Sequence, residues 1–162
     1  MSRHLLTTPA AAAAGVALIV LGAPGVRPPG GPYLPPVLPL RVAAGYDPPE
    51  QPWQPGHRGV DLAAAEGAAV RAAATGTVSF AGVVVDRGVV AIDHGGVRTT
   101  YEPVAPTVVA GQVVAVGDPI GTIAAGAHCS QRCLHWGALL AGQYIDPMAL
   151  LTPYRPILKS PR

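Results

Sequence analysis

Five consecutive residues carry the first chemical signal in this 162-residue sequence: His57-Arg58-Gly59-Val60-Asp61. In an extended strand alternate side chains share a face, so His57, Gly59 and Asp61 point together. Gly59 leaves room between an imidazole and a carboxylate for a metal ion or a substrate to approach. A second segment, Cys133-Leu134-His135-Trp136-Gly137, puts Cys133 and His135 on one face. Leu134 and Trp136 take the other face, where they can fill a core. His57, Asp61 and His135 together supply two imidazoles and a carboxylate, the donor types of a zinc site, and three protein ligands leave a fourth position open for water. An open site is the catalytic arrangement, because the metal lowers the pKa of bound water to about 7 and polarises a carbonyl. Spacing alone does not separate this reading from two unrelated histidines and an aspartate scattered over a β protein.

The elements that must position these residues are short. Gly (20) and Pro (19) are abundant, apolar residues make up 49% of the chain and aromatics only 5%. That composition favours strands joined by turns around a core of Val, Ala, Leu and Ile. Strand-length apolar runs bounded by turn residues occur at 69–73, 76–81, 83–85, 89–93, 97–101, 113–116, 120–124 and 133–139. A hairpin is expected to turn at Asp86-Arg87-Gly88, and a second at Gly95-Gly96. No window reads as a convincing amphipathic helix. The expected fold class is all-β, a mostly antiparallel sandwich or barrel-like core. The hairpin character around residues 66–82 and 111–121 is shared by small barrels that carry biotin or lipoate. Those carriers need a lysine at a hairpin tip, and the one lysine here, Lys159, lies near the C-terminus.

The chain outside this region reads differently. Arg3 and His4 precede an apolar run from about Pro9 to Leu21, and no acidic residue occurs before Asp47. This is the pattern of an export signal, assigned to residues 1–25 with no clear cleavage point. The run is shorter than the roughly 20 apolar residues of a spanning helix, and an uncleaved membrane anchor is the alternative. Residues 26–41 are Pro-rich and are expected to form an extended tether without a packed core. The folded domain is assigned to 42–151, and a Pro-containing tail to 152–162. The net charge is +2, with no dense Lys/Arg block, so nucleic-acid binding has no electrostatic footprint.

Resemblance sharpens the site. His57-Arg58-Gly59-Val60-Asp61-Leu62, Gly67-Ala68-Ala69-Val70-Arg71-Ala72, Gly76-Thr77-Val78, Ile92-Asp93-His94-Gly95-Gly96, Gly117-Asp118-Pro119-Ile120-Gly121, Leu134-His135-Trp136 and Asp146-Pro147 follow one another along residues 42–150. This ordered series resembles the M23 (LytM/lysostaphin-like) metallopeptidases. The resemblance implies a β-sheet fold, one zinc held by His57, Asp61 and His135, and hydrolysis of peptidoglycan peptides at the bacterial cell envelope. It also implies two auxiliary histidines that act on the attacking water and the developing oxyanion. Their positions hold Pro103 and Cys133 here. Glu102 neighbours the first of these and is expected to face away from the site, and His128 is expected to be a solvated loop residue. Tyr101 is a candidate for orienting substrate, with packing at a strand end as the alternative. His94 is expected to be structural.

The two cysteines, Cys129 and Cys133, open a separate question. An even count in an exported chain suggests a disulfide, which would staple the loop before His135. The rivals are Cys133 as a fourth zinc ligand, which would close the site, and a catalytic thiolate, which lacks an evident base. Three functions follow: a zinc endopeptidase of peptidoglycan, a related module that binds the wall or regulates a partner hydrolase, and a structural relic.

Overall fold

The computed structural model describes residues 31–126 and 132–151. The export-signal segment, the tail, His128 and Cys129 lie outside the described residues. So does the alternative of a membrane anchor.

The described chain is built from strands β1 (Val42–Ala44), β2 (Gly59–Ala63), β3 (Ala69–Arg71), β4 (Gly76–Val84), β5 (Arg87–Asp93), β6 (Val97–Glu102), β7 (Val104–Pro106), β8 (Val113–Val114), β9 (Pro119–Ile123), β10 (Cys133–Leu140) and β11 (Gln143–Ile145). One short helix, Met148–Leu151, follows. The larger sheet has the order β1-β2-β10-β6-β5-β4-β8, with β11 also paired to β10, and the smaller runs β3-β9-β7. Every pairing is antiparallel. The all-β expectation holds.

Alternation explains the two-layer arrangement. On the inner face of the large sheet Val60, Trp136 and Tyr101 lie side by side across β2, β10 and β6. All three are buried, and they belong to a cluster that also holds Val70, Val104 and Ile120 from the small sheet. The next row toward solvent, Asp61, His135 and Glu102, therefore occupies the outer face.

Two expectations need correction. The first hairpin turns at Val85-Asp86, since Val84 pairs with Arg87 and Val83 with Gly88. Gly88 is a strand residue: a Cβ there would lie 1.9 Å from the Val104 carbonyl oxygen, so glycine serves the close approach of β7 rather than the turn. Val85, 98% exposed, takes the left-handed conformation instead, with φ 59°. The second hairpin turns at Gly95-Gly96 as expected, both with positive φ. The Pro-rich tether is also packed over its described part. Leu34 N–H donates to Ala73 O at 2.7 Å and Arg71 N–H to Pro36 O at 2.9 Å, while Tyr33 and Val37 are buried. Proline content lowers the capacity for regular ladders, but the apolar side chains between the prolines still gain by burial.

Candidate metal centre

The central strand β10 carries His135 directly opposite Asp61 of β2. His57 precedes β2 and is fixed by a two-bond bridge: Asp47 N–H donates to His57 O at 3.0 Å, and His57 N–H to Asp47 O at 2.7 Å. Three donor atoms converge as a result. His57 Nε2 lies 3.0 Å from Asp61 Oδ1 and 3.1 Å from His135 Nδ1, and His135 Nδ1 lies 2.9 Å from Asp61 Oδ1. Ligands on a tetrahedral zinc at about 2.0–2.1 Å stand roughly 3.4 Å apart, so this triangle is close to one face of such a tetrahedron.

The surroundings fit a metal. His57 Nδ1 bonds the Gly45 carbonyl. A carbonyl can only accept, so Nδ1 carries the proton and Nε2 presents its lone pair to the triangle. Burial lowers the His135 pKa below its ordinary value of 6.5; the bond and charge of Asp61 oppose that shift, His57 adds to it, and Glu102 opposes it weakly. The net direction keeps this imidazole neutral, the form a metal requires. Asp61 is only 4% exposed and provides the negative charge. A Cβ on Gly59 would come 2.7 Å from His135 Nε2, so the space expected to admit a metal or substrate is taken by the His135 ring instead. His57, Asp61 and His135 form a group able to hold an ion, as their sequence pattern suggested.

Other candidates fall elsewhere. Tyr101 is 0% exposed and faces the core, which removes it from substrate contact. Its hydroxyl accepts from Ala73 N–H at 3.0 Å and pairs with Thr99 Oγ1 at 2.8 Å, which pairs with His94 Nε2 at 2.8 Å. His94 Nδ1 donates to Thr75 O at 2.9 Å. The chain of bonds is complete with neutral His94, which is structural. Burial pushes the Tyr101 hydroxyl up to about 12. Tyr101→Phe is expected to cost about 1–3 kcal/mol by stranding the Ala73 N–H. Denaturant melts would show this, and zinc affinity would be unchanged; a loss of zinc affinity would return Tyr101 to the site.

His94 also makes stability pH-dependent. Burial lowers its pKa below 6.5, against weaker opposing effects of Thr75 and Asp93. The unfolded chain then takes up the proton first as pH falls below 6.5, so stability declines in that direction. With metal chelated, the urea midpoint is expected to fall from pH 7 to pH 5, and less steeply in His94→Gln. Equal slopes would remove His94 as a cause.

Pro103 is buried at the crossing from β6 to β7, with its carbonyl accepting from Ala124 N–H at 3.1 Å. Cys133 is fully buried on the face of the three candidate donors, opposite Ala63. It is not a free thiol, and it stands outside the three-residue donor group, which disfavours both the fourth-ligand and the thiolate readings. Glu102 departs from expectation: it pairs directly with His135 and so shares the face of the metal triad. Alternation counted from the core residue Tyr101 would have found it.

The sequence profile of peptidase family M23 matches residues 55–147. The chain belongs to that family. The M23 match covers all three donors and the β2–β10 pair that presents them. An uncharacterised protein of Mycobacterium tuberculosis is 46% identical over 126 residues, covering 72% of this chain and 51% of its own. The DD-carboxypeptidase/endopeptidase Mpg of Neisseria meningitidis is 33% identical over 99 residues, covering 60% of this chain and 23% of its own. The chain spans about half the length of the first of these relatives or less. The antimicrobial peptidase lysostaphin from Staphylococcus simulans shares the M23 fold at a TM-score of 0.62 and 23% identity, covering 70% of this chain and 50% of its own.

Proposed function

We propose that this chain is an exported zinc metallo-endopeptidase that hydrolyses peptides of bacterial peptidoglycan. The observation that carries the reading is the convergence of His57 Nε2, Asp61 Oδ1 and His135 Nδ1 within 3.1 Å of one another, on an outer sheet face. Membership of family M23 and the likeness to Mpg support the substrate class. Zinc held there would supply a water of lowered pKa and a Lewis acid for the scissile carbonyl. The chain's own residues do the rest. The Gly45 carbonyl fixes the His57 tautomer, Asp61 supplies charge, and Gly59 makes room for the His135 ring.

Residues 42–151 form the hydrolase domain in this reading, with residues 1–25 as the export signal and the cell envelope as the destination. Cys133 pairs with Cys129, the other cysteine of the chain, and staples the loop that leads into β10. Zinc-loaded protein is expected to release soluble fragments from purified peptidoglycan, and chelation to stop the release. Metal-loaded protein that stays inert on walls of several chemistries would sink the proposal.

A second reading has one specific observation behind it: Pro103 and Cys133 occupy both auxiliary histidine positions. A wall-binding or regulatory module, acting on a partner hydrolase, would need no proton-handling groups. Retention on peptidoglycan without fragment release would select it.

A further inference from the structure

The outer face of the large sheet places a carboxylate where the missing histidines leave the site short of a proton acceptor. Asp61, His135 and Glu102 are direct cross-strand partners on β2, β10 and β6, so their side chains form one row. Directly opposed residues have Cβ atoms about 4.5–5.5 Å apart. Adjacent strands lie about 4.8 Å apart, so Glu102 stands one strand beyond His135 and two beyond Asp61. His135 turns its Nδ1 the other way, toward Asp61 and His57. Glu102 is thus poorly placed to join the donor triangle directly and well placed to reach it through one water molecule.

The neighbouring row packs closely against this one. Gly59, Gly137 and Thr100 lie side by side next to it. A Cβ on Gly137 would come 2.5 Å from Thr100 Oγ1, and one on Gly59 would crowd the His135 ring. The two glycines therefore let the Thr100 side chain and the His135 ring lie close against the sheet in the row beside Glu102. Glu102 is partly exposed and has no salt bridge among the described residues.

We propose that Glu102 is the general base and acid of this M23 domain, replacing the auxiliary histidines with a carboxylate from the strand on the other side of β10. The proposal rests on the endopeptidase reading above. Glu102 accepts one proton from the attacking water as the water oxygen bonds to the scissile carbonyl carbon and the carbonyl π pair moves onto its oxygen. When that pair returns, the C–N bond breaks and Glu102 delivers the proton to the leaving nitrogen. Water is consumed, an acid and an amine are formed, and Glu102 is returned to its starting state.

The test compares the zinc-loaded full-length chain with Glu102→Gln and Glu102→His on purified peptidoglycan. New amino groups report hydrolysis, and competition with a chromophoric chelator reports zinc affinity. Glu102→Gln is expected to lose about 10²–10⁴-fold in rate with zinc affinity unchanged. Glu102→His can accept a proton and is expected to keep more activity than Glu102→Gln. Undiminished activity of Glu102→Gln overturns the role while leaving the endopeptidase reading intact. Loss of zinc in Glu102→Gln makes the residue a ligand and also overturns it. Equal losses in both variants with zinc retained point to a positional effect and overturn it likewise. An inert wild-type protein overturns the underlying reading, and this role with it.

Discussion

Asp61→Asn protein is expected to fold, to bind zinc far more weakly than the wild type, and to release no peptidoglycan fragments. The substitution keeps the shape of the side chain and removes its charge. Asp61 Oδ1 lies 3.0 Å from His57 Nε2 and 2.9 Å from His135 Nδ1, so it is the one anion among the three converging donors. Its burial matters as much as its position. At 4% exposure it has few waters to screen it, so its charge would act strongly on an ion held between the three donors. Loss of a partner that merely orients a ligand typically weakens metal binding 10–100-fold, and loss of a ligand's charge is expected to exceed that. Thermal shift gives an independent reading. Free zinc at about 100 times Kd would stabilise the wild type by about 2.7 kcal/mol, and the same zinc would scarcely shift Asp61→Asn. Equal zinc-induced shifts in the two proteins would show that the donor triangle is not the metal site.

The candidate donors are legible in part because the face each takes is a local pattern, while their convergence rests on the family resemblance. His57, Gly59 and Asp61 alternate along the segment that leads into and forms β2, and Leu134 and Trp136 mark the inner face that turns His135 outward. The all-β architecture was legible for the same reason, since period-two alternation and turn residues are properties of short windows. What failed depends on register. Nothing near Gly88 in the sequence shows that the Val104 carbonyl will press on it, so the glycine looked like a turn residue. A direction for Glu102 taken from the family position at Pro103 gives the wrong face. Its pairing with His135 is decided by how β6 lies against β10. Tyr101 is a candidate substrate contact by residue type alone, but its hydroxyl closes a buried chain through Thr99 to His94. For Gly88 and Glu102 the deciding contact lies on another strand, and for Tyr101 it is the bond from the distant Ala73 N–H that fixes the hydroxyl in the core.

Gly59→Ala tests the coupling between that packing and the site. A methyl group at position 59 would lie 2.5 Å from the Trp136 carbonyl oxygen, 2.7 Å from His135 Nε2 and 2.9 Å from His135 Cε1. The imidazole can turn, but the carbonyl belongs to the central strand β10, so β2 must separate from it or twist. Overpacking of this kind costs about 1–3 kcal/mol. The damage also reaches the metal. Gly59 lies between His57 and Asp61, and moving His135 opens the triangle at two of its three edges. Zinc affinity is therefore expected to fall at least 10–100-fold, the range that disturbed ligand orientation produces. Gly45→Ala is the matched control: a Cβ there meets nothing within 4 Å, and the carbonyl that binds His57 is retained. Calorimetric unfolding and zinc titration of the two variants would separate them. The control should track the wild type in both, whereas Gly59→Ala should fall in both. A Gly59→Ala protein that melts lower yet binds zinc normally would mean that β10 yields without moving His135, and the metal site would then not depend on this glycine.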